Sequence, residues 1–415
     1  MVAQGAPSSI QRALPVAPIP ETERIKLIDV LRGFALFGVL LINMRNFDLP
    51  GQTWTGLFDR IALWLTIGLG DSKFWTLFSF LFGLGFALQM KRAELRGAHF
   101  VTLYARRLSV LLLFGLLHHL LLYAGDILYD YAVVGFVLLL FRKLPDRIIL
   151  ILALACFLIP MGRHAVQVRL NEVQRSDPQA AQLIAQRKAE SKREDEEWVR
   201  TFVSGSYLEV MAYRARHFMR RRVSVNNSLF ELAGPLPLFL VGLLVGRHRI
   251  FQNMREHLPF VRKALPRTLA LGLICTGISI TGKWPDPVIP YETPLWRGLL
   301  WYVGTPALSF SHACIVILLA QKNHWQARFT PLACVGRTAL SNYLLQSLVF
   351  STIFSHHGLG MAGKVGPSLN LALTVLIYGL QLPLSVWWLG HFRFGPAEWL
   401  WRMLTYGKLQ PMRLA

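Results

Sequence analysis

Ten apolar runs follow one another along this chain, nearly all of them of bilayer-spanning length. They fall at about residues 27–46, 74–90, 107–124, 127–142, 147–162, 229–247, 266–282, 298–320, 333–355 and 368–390. A backbone inside hydrocarbon must satisfy its own hydrogen bonds, and a helix of about 20 apolar residues does so across one bilayer. Ten crossings use about 200 residues, close to the whole hydrophobic content, 53% of 415 residues. Charged residues make up 16% of the chain, against about 25% in soluble proteins. A single water-soluble domain is excluded, and the expected class is an all-α, polytopic membrane protein of about ten transmembrane helices.

Lys and Arg number 44 against 23 Asp and Glu, a formal net charge of +21. In a soluble chain that excess would point to nucleic acid; in a spanning one it reports basic loops facing the cytoplasm. No nucleic-acid partner is expected. The basic residues gather before run one, after runs two, four, six and eight, and again at the end, while the intervening connections hold few. That alternation predicts both termini in the cytoplasm.

The order of polar and apolar stretches suggests four segments. Residues 1–26 form a polar tail without the apolar centre of a cleavable signal; residues 27–162 form a first five-helix half. Residues 163–228 form a polar insert with 13 Lys+Arg and 8 Asp+Glu, placed outside by the count, and residues 229–415 a second five-helix half. The insert reads first as a solvated helix and then, over Trp198–Arg222, as an amphipathic stretch on the membrane surface. Leu57–Leu69 is short for a span and reads as an interfacial or re-entrant helix. The four cysteines show no CxxC and no Cys/His spacing that suits zinc, so no metal site is expected.

Ionisable and amide side chains are costly inside a bilayer and usually face a bundle interior or a wet cavity. Run one contains Asp29, Arg32 and Asn43. Asp29 and Arg32, three apart, share a helical face; they form either a structural ion pair, with Arg32 reaching for lipid headgroups, or a clamp for an anionic ligand. Run three carries Arg107 and His118, three helical turns apart and therefore on one face, with His119 about 100° away. His118 lies about 16 Å along the helix from Arg107. Asp126 and Asp130, opening the next run, either orient an imidazole or neutralise that helix's positive N-terminus. Gly83 and Gly85 read as close-packing positions, and no phosphate-binding glycine loop is found. Asn342 and Gln346, four apart, read as interhelical glue or as substrate contacts. The closing FRFGPAEWLWRMLTYGK mixes Trp and Tyr with Arg and Lys, as an interfacial anchor does.

Several of these stretches occur together in one known family. DVLRGFALFGVLLIN, FWTLFSFLFGLGFAL, RRLSVLLLFGLLHHLLLYAGDILYDYAVVG, and GRTALSNYLLQS followed by FGPAEWLWRMLTYGKLQP resemble the YeiB family of bacterial inner-membrane proteins over nearly the whole chain. The last two resemble that family's C-terminal domain of unknown function. The family in turn resembles the transmembrane acyltransferases, a group that includes heparan-α-glucosaminide N-acetyltransferase and the bacterial polysaccharide O-acyltransferases. The resemblance implies a multi-pass protein of the bacterial inner membrane, a cytoplasmic acyl-CoA donor such as acetyl-CoA, and an extracytoplasmic glycan or lipid acceptor. It implies His118 rather than His119 as the catalytic histidine, on the Arg107 to His118 spacing and the GDIL that follows, with Asp126 orienting it. Asp29, Arg32, Gly33 and Asn43 match the group's first-helix pattern, and Arg32, Arg107 and Asp29 would hold the CoA. Asn43, His119, Asp130, Asn342 and Gln346 are candidates for contact with substrate, and a homodimer is compatible with this reading.

Two other classes use the same ingredients: a transporter or flippase for a small or lipid-linked substrate, and a membrane scaffold that binds partners through the insert. The absence of matching Gly/Pro-broken segments in the two halves counts against transport, as does the concentration of polar residues in runs one to four.

Overall fold

The apolar runs form helices in the computed structural model, which describes residues 24–47, 49, 52–95, 100–175, 178–223, 233–280 and 294–414. The first half comprises α1 (Lys26–Arg45), α2 (Leu57–Leu65), α3 (Lys73–Leu95), α4 (Phe100–Leu121), α5 (Leu128–Phe141) and α6 (Asp146–Arg175). The insert contributes α7 (Pro178–Ser204) and α8 (Tyr207–Val223). The second half comprises α9 (Leu236–Arg247), α10 (Met254–Ile280), α11 (Leu295–Ala320), α12 (Asn323–Arg328), α13 (Thr330–Arg337), α14 (Ala339–Phe354), α15 (Pro367–His391) and α16 (Pro396–Tyr406). Among the described residues seven helical segments are long and apolar enough to cross a membrane, and α5, α9 and α14 are shorter apolar helices. The chain is an all-α polytopic membrane protein. The predicted N-terminal tail lies outside the described residues up to position 23, as do residues 224–228 at the end of the insert and 229–232 at the start of the sixth run.

Helix α1 runs through the interior. Leu31, Ala35, Leu36, Leu40 and Met44 along it are buried, and it packs against α3, α11, α13, α14 and α15. Beside it α3 and α9 approach closely. A Cβ added to Gly83 would fall 2.1 Å from the Phe239 carbonyl oxygen, and one added to Gly242 would fall 2.2 Å from that of Phe80. Lipid offers no hydrophobic gain for helix association, so such small-residue contact supplies the attraction. Gly85, two residues on, has a different neighbour: its absent Cβ leaves room for the Arg32 guanidinium, 3.1 Å away. Gly83→Val is expected to cost about 1–3 kcal/mol through overpacking. Thermal melting of the detergent-solubilised protein measures this, and an unchanged melting curve would contradict the contact.

Helix α2 lies along the bundle edge with Leu57 and Phe58 exposed. It is tied down by Asp59, whose Oδ1 accepts from the Ser368 N–H at 2.9 Å and from the Ser368 hydroxyl at the start of α15. A π-helical turn, Thr66–Gly70, joins it to α3, and the Ile67 carbonyl accepts from Lys73 Nζ at 3.0 Å.

Three elements depart from the sequence reading. Span five does not stop at residue 162: α6 continues to Arg175, because its polar second half still favours helix once clear of the apolar run. The stretch Trp198–Arg222 does not lie on the surface alone. Phe202 and Val210 join the core with Phe47, Phe350 and Phe354, and the α7–α8 pair is laced by Arg216–Glu197 and Arg220–Glu194 at 3.0 and 2.8 Å. Buried Arg214 donates to the Leu121 carbonyl at 3.1 Å, capping the end of α4; burial pulls its guanidinium pKa down to about 10, so it stays charged near neutrality. Finally, the run at 333–355 is not one helix. Thr338 (φ −111°, ψ 34°) breaks it into α13 and α14, its hydroxyl donating back to the Cys334 carbonyl at 2.9 Å.

Candidate functional site

His118 and Asp126 are brought together by the α4–α5 hairpin. His118 sits near the end of α4, and Asp126 stands just before α5. The two helices close on each other at Gly115, where a Cβ would fall 2.3 Å from the Tyr129 backbone nitrogen and 2.8 Å from Asp126 Oδ2. His118 Nδ1 lies 2.7 Å from Asp126 Oδ1, and both side chains are 0% exposed. Asp126 Oδ2 accepts the Tyr129 N–H at 2.8 Å, capping the first turn of α5 as well. A carboxylate can only accept, so Nδ1 carries the hydrogen, and in its neutral form such a ring has its lone pair at Nε2. Nε2 is buried and has no hydrogen-bond partner among the described residues. An imidazole held in one tautomer with its basic nitrogen free has the form of a general base or a nucleophile.

Two tyrosines flank that ring. The Tyr343 ring centroid lies 5.0 Å from that of His118, and the Tyr123 centroid lies 6.3 Å away. Tyr123 is fixed by run-one amides: its hydroxyl donates to Asn43 Oδ1 at 3.3 Å and accepts from Asn46 Nδ2.

On the Tyr343 side a chamber with about 2010 Å³ of atom-free space, its open mouth included, runs between α1, α3, α4, α5, α14 and α16. Among the described residues its wall carries six arginines, Arg24, Arg32, Arg92, Arg107, Arg337 and Arg402, against two carboxylates, Asp29 and Glu398. Asp29 pairs with Arg32 at 3.2 Å and with Arg24 at 3.5 Å. Arg107 lies 3.8 Å over the Trp401 ring, whose indole N–H donates to the Arg107 carbonyl at 2.9 Å. Away from the arginines the wall turns apolar through Leu36, Val39, Phe82, Leu111 and Leu128, and includes Tyr343. A cationic mouth leading to an apolar interior suits a ligand with an anionic head and an uncharged arm.

The helix break at Thr338 lies on this wall. It leaves the N–H groups of Leu340 and Ser341 to be satisfied from outside α14, and Glu398 Oε1 accepts both, at 2.7 and 3.2 Å. Glu398 Oε2 accepts the Ser341 hydroxyl, and Ser341 Oγ accepts the Ala397 N–H at 3.0 Å. Helices α14 and α16 thus cap each other.

Of the residues singled out from the sequence, Asp29, Arg32 and Arg107 line the chamber, and His118 and Asp126 form the pair behind Tyr343. His119 turns away, its ring centroid 4.9 Å from that of Phe218 on α8. Asp130 is half-buried in the first turn of α5, while the imidazole is held by Asp126. Asn342 donates to Thr338 Oγ1 and Ser385 Oγ at 2.8 and 3.0 Å, and Gln346 donates to Gln381 Oε1 at 2.8 Å; both amides bind α14 to α15. Sequence reasoning passed over Tyr343 and Glu398, and it assigned Trp401 and Arg402 to an anchor. Trp401 and Arg402 lie on the chamber wall. The usable signal was Glu398 itself, an acid inside an otherwise cationic and aromatic segment.

Residues 245–408 match the family described as a protein of unknown function, DUF418. The chain is 34% identical over 415 residues to the uncharacterized protein YxaH of Bacillus subtilis (strain 168), covering 95% of this chain and 97% of that one. It is 29% identical over 403 residues to the uncharacterized protein YeiB of Escherichia coli (strain K12), covering 92% and 96%. A protein of Bacillus acidopullulyticus, an uncharacterized 39.9 kDa protein in the amylase 3′ region, is 28% identical over 417 residues, 96% and 98% covered. With near end-to-end similarity to YxaH and YeiB and a C-terminal half that matches the family model, the chain belongs to the DUF418 family.

Proposed function

We propose that this protein is an acyltransferase of the bacterial inner membrane, taking an acyl group from cytoplasmic acyl-CoA and passing it to an acceptor on the other side. The observation that carries this reading is the buried His118–Asp126 pair with Nε2 free, set behind the apolar end of an arginine-lined chamber. The chamber arginines stand at helix ends that the basic-loop alternation assigns to the cytoplasm, where acyl-CoA is made. CoA phosphates sit among Arg32, Arg107 and Arg402, and the uncharged arm carries the thioester toward His118. The Nε2 lone pair attacks the thioester carbonyl, the C–S bond breaks and the thiolate leaves to take up a proton. The acyl-imidazolium keeps its Nδ1–H on Asp126, whose carboxylate balances the new positive charge. An acceptor hydroxyl or amine then attacks the acyl carbon and loses its proton, and His118 is regenerated. In the variant without a covalent step His118 removes the acceptor's proton directly.

The deciding experiment incubates purified protein with isotope-labelled acetyl-CoA without acceptor and seeks the label on His118 by peptide mass analysis, alongside release of free CoA. Absence of both label and CoA release would refute the covalent route, and absence of acetyl transfer with membrane extract added as acceptor would refute the direct one. Arg32→Ala is expected to raise KM for acetyl-CoA about 10- to 100-fold with kcat retained, the size of a lost charge-assisted hydrogen bond. An unchanged KM would remove Arg32 from the donor site.

One feature favours transport of an anionic amphiphile instead. The helix broken at Thr338 borders the chamber, and broken helices commonly build transporter sites. Substrate uptake into proteoliposomes that persists in His118→Asn would select that reading.

A further inference from the structure

The chamber and the histidine do not meet. Leu111 lies on the chamber wall, whereas His118 does not. Seven residues separate them, so they face the same way, and His118 lies about 10 Å further along α4. Tyr343 borders both. It lines the chamber on one side and on the other stands 5.0 Å from the imidazole, at an interplanar angle of 47°. The residue is 3% exposed.

We propose that Tyr343 is a positioning residue that closes the chamber against His118 and must swing aside before a ligand's reactive end reaches Nε2. This rests on the acyltransferase reading for the identity of the ligand, but not for the closure itself. The fold gives the ring a means of moving. Tyr343 stands in the second turn of α14, directly after the break at Thr338. The start of that helix is held through Leu340 and Ser341 by Glu398 of α16, and α16 presents Trp401 and Arg402 to the chamber. An anionic head seated on Arg402 therefore touches the same short helix that braces α14. A ligand at the mouth can shift the gate without contacting it. The closure also keeps water from the chamber away from Nε2, which protects an acyl-imidazole from hydrolysis until the acceptor arrives.

The test measures access rather than turnover. Diethyl pyrocarbonate acylates an unprotonated imidazole nitrogen, and peptide fragmentation distinguishes modified His118 from its neighbour His119, which serves as an internal reference. An open state populated at about 0.1–10% slows labelling by a factor of about 10–1000 relative to a permanently open site. In the full-length solubilised protein, Tyr343→Ala is expected to speed His118 labelling by at least the lower of those factors. Tyr343→Phe should behave as wild type, because the ring rather than the hydroxyl forms the seal. Leu103→Ala, which enlarges the chamber on α4 fifteen residues before His118, should also leave the rate unchanged. Should Tyr343→Ala fail to fold, Tyr343→Leu keeps apolar bulk while removing the aromatic face and is expected to shift the rate in the same direction. A wild-type rate in the folded alanine or leucine variant, or an equal rise in Leu103→Ala, overturns the proposal. Coenzyme A added to the alanine variant tests the donor reading separately. Slower labelling supports both; faster labelling in the variant that coenzyme A leaves unslowed sustains the gate and counts against CoA as the ligand.

Discussion

Replacing His118 by asparagine is expected to abolish acetyl transfer, by a factor of at least about 10²–10⁴, while leaving the protein folded. The choice of asparagine follows from the surroundings of the ring. Asp126 is fully buried and its Oδ1 is matched to the N–H at His118 Nδ1. Alanine would leave that carboxylate short of a donor, and an unpaired buried charge costs several kcal/mol. Loss of activity in His118→Ala would then mix chemistry with misfolding. The asparagine Nδ2 can occupy nearly the position of the imidazole Nδ1 and donate to the same carboxylate, but nothing in it corresponds to Nε2. The expected pair of results is a melting curve close to wild type and no CoA release from acetyl-CoA. Full CoA release by His118→Asn would exclude this histidine as nucleophile or base, whatever the stability of the variant.

What could be read in advance divides along the range of the interactions involved. The helices were legible because each apolar run states its own burial, and His118 could be aligned with Arg107 because helical periodicity is local. Asp126 was legible for the same reason: only a tight GD turn separates it from the end of α4, so few geometries were open. Gly115, one turn before His118, brings the two helices together, and the sequence reading passed over it. The wall supplied by α16 was hidden. Trp401 and Arg402 read equally well as residues seeking headgroups, and only the long-range pairing of Glu398 with the start of α14 brings them inward. Tyr343 was hidden more deeply, since an aromatic residue in an apolar run is ordinary and its meaning comes from the two surfaces it separates. The amides Asn342 and Gln346 had two readings, and their partners Ser385 and Gln381 on α15 now supply the interhelical one. The insert misled at Phe202 because its composition is dominated by charges that stay in solvent, while one aromatic turn enters the core.

Asp126→Asn is expected to lower kcat by about as much as the corresponding change in a serine-protease triad, roughly 10⁴-fold, although it removes only one charge and barely changes shape. The reason lies in the second oxygen. In the native site both carboxylate oxygens accept, one from His118 Nδ1 at 2.7 Å and the other from the Tyr129 backbone N–H at 2.8 Å. An asparagine offers a single acceptor for these two positions. The backbone N–H cannot change its role, and an NH2 group turned toward it would be repelled inside a buried turn, so the amide oxygen stays with Tyr129. The NH2 then faces His118 and forces Nδ1 to accept. The proton moves to Nε2, the nitrogen that must attack or receive a proton, and the ring is held in the unproductive tautomer. Binding of acetyl-CoA at the arginines should be unaffected, so the loss appears in kcat while KM stays near wild type. Nitrogen-15 chemical shifts of the imidazole would report the tautomer directly. An Asp126→Asn protein with an Nδ1–H tautomer and wild-type turnover would show that the carboxylate serves only to cap α5.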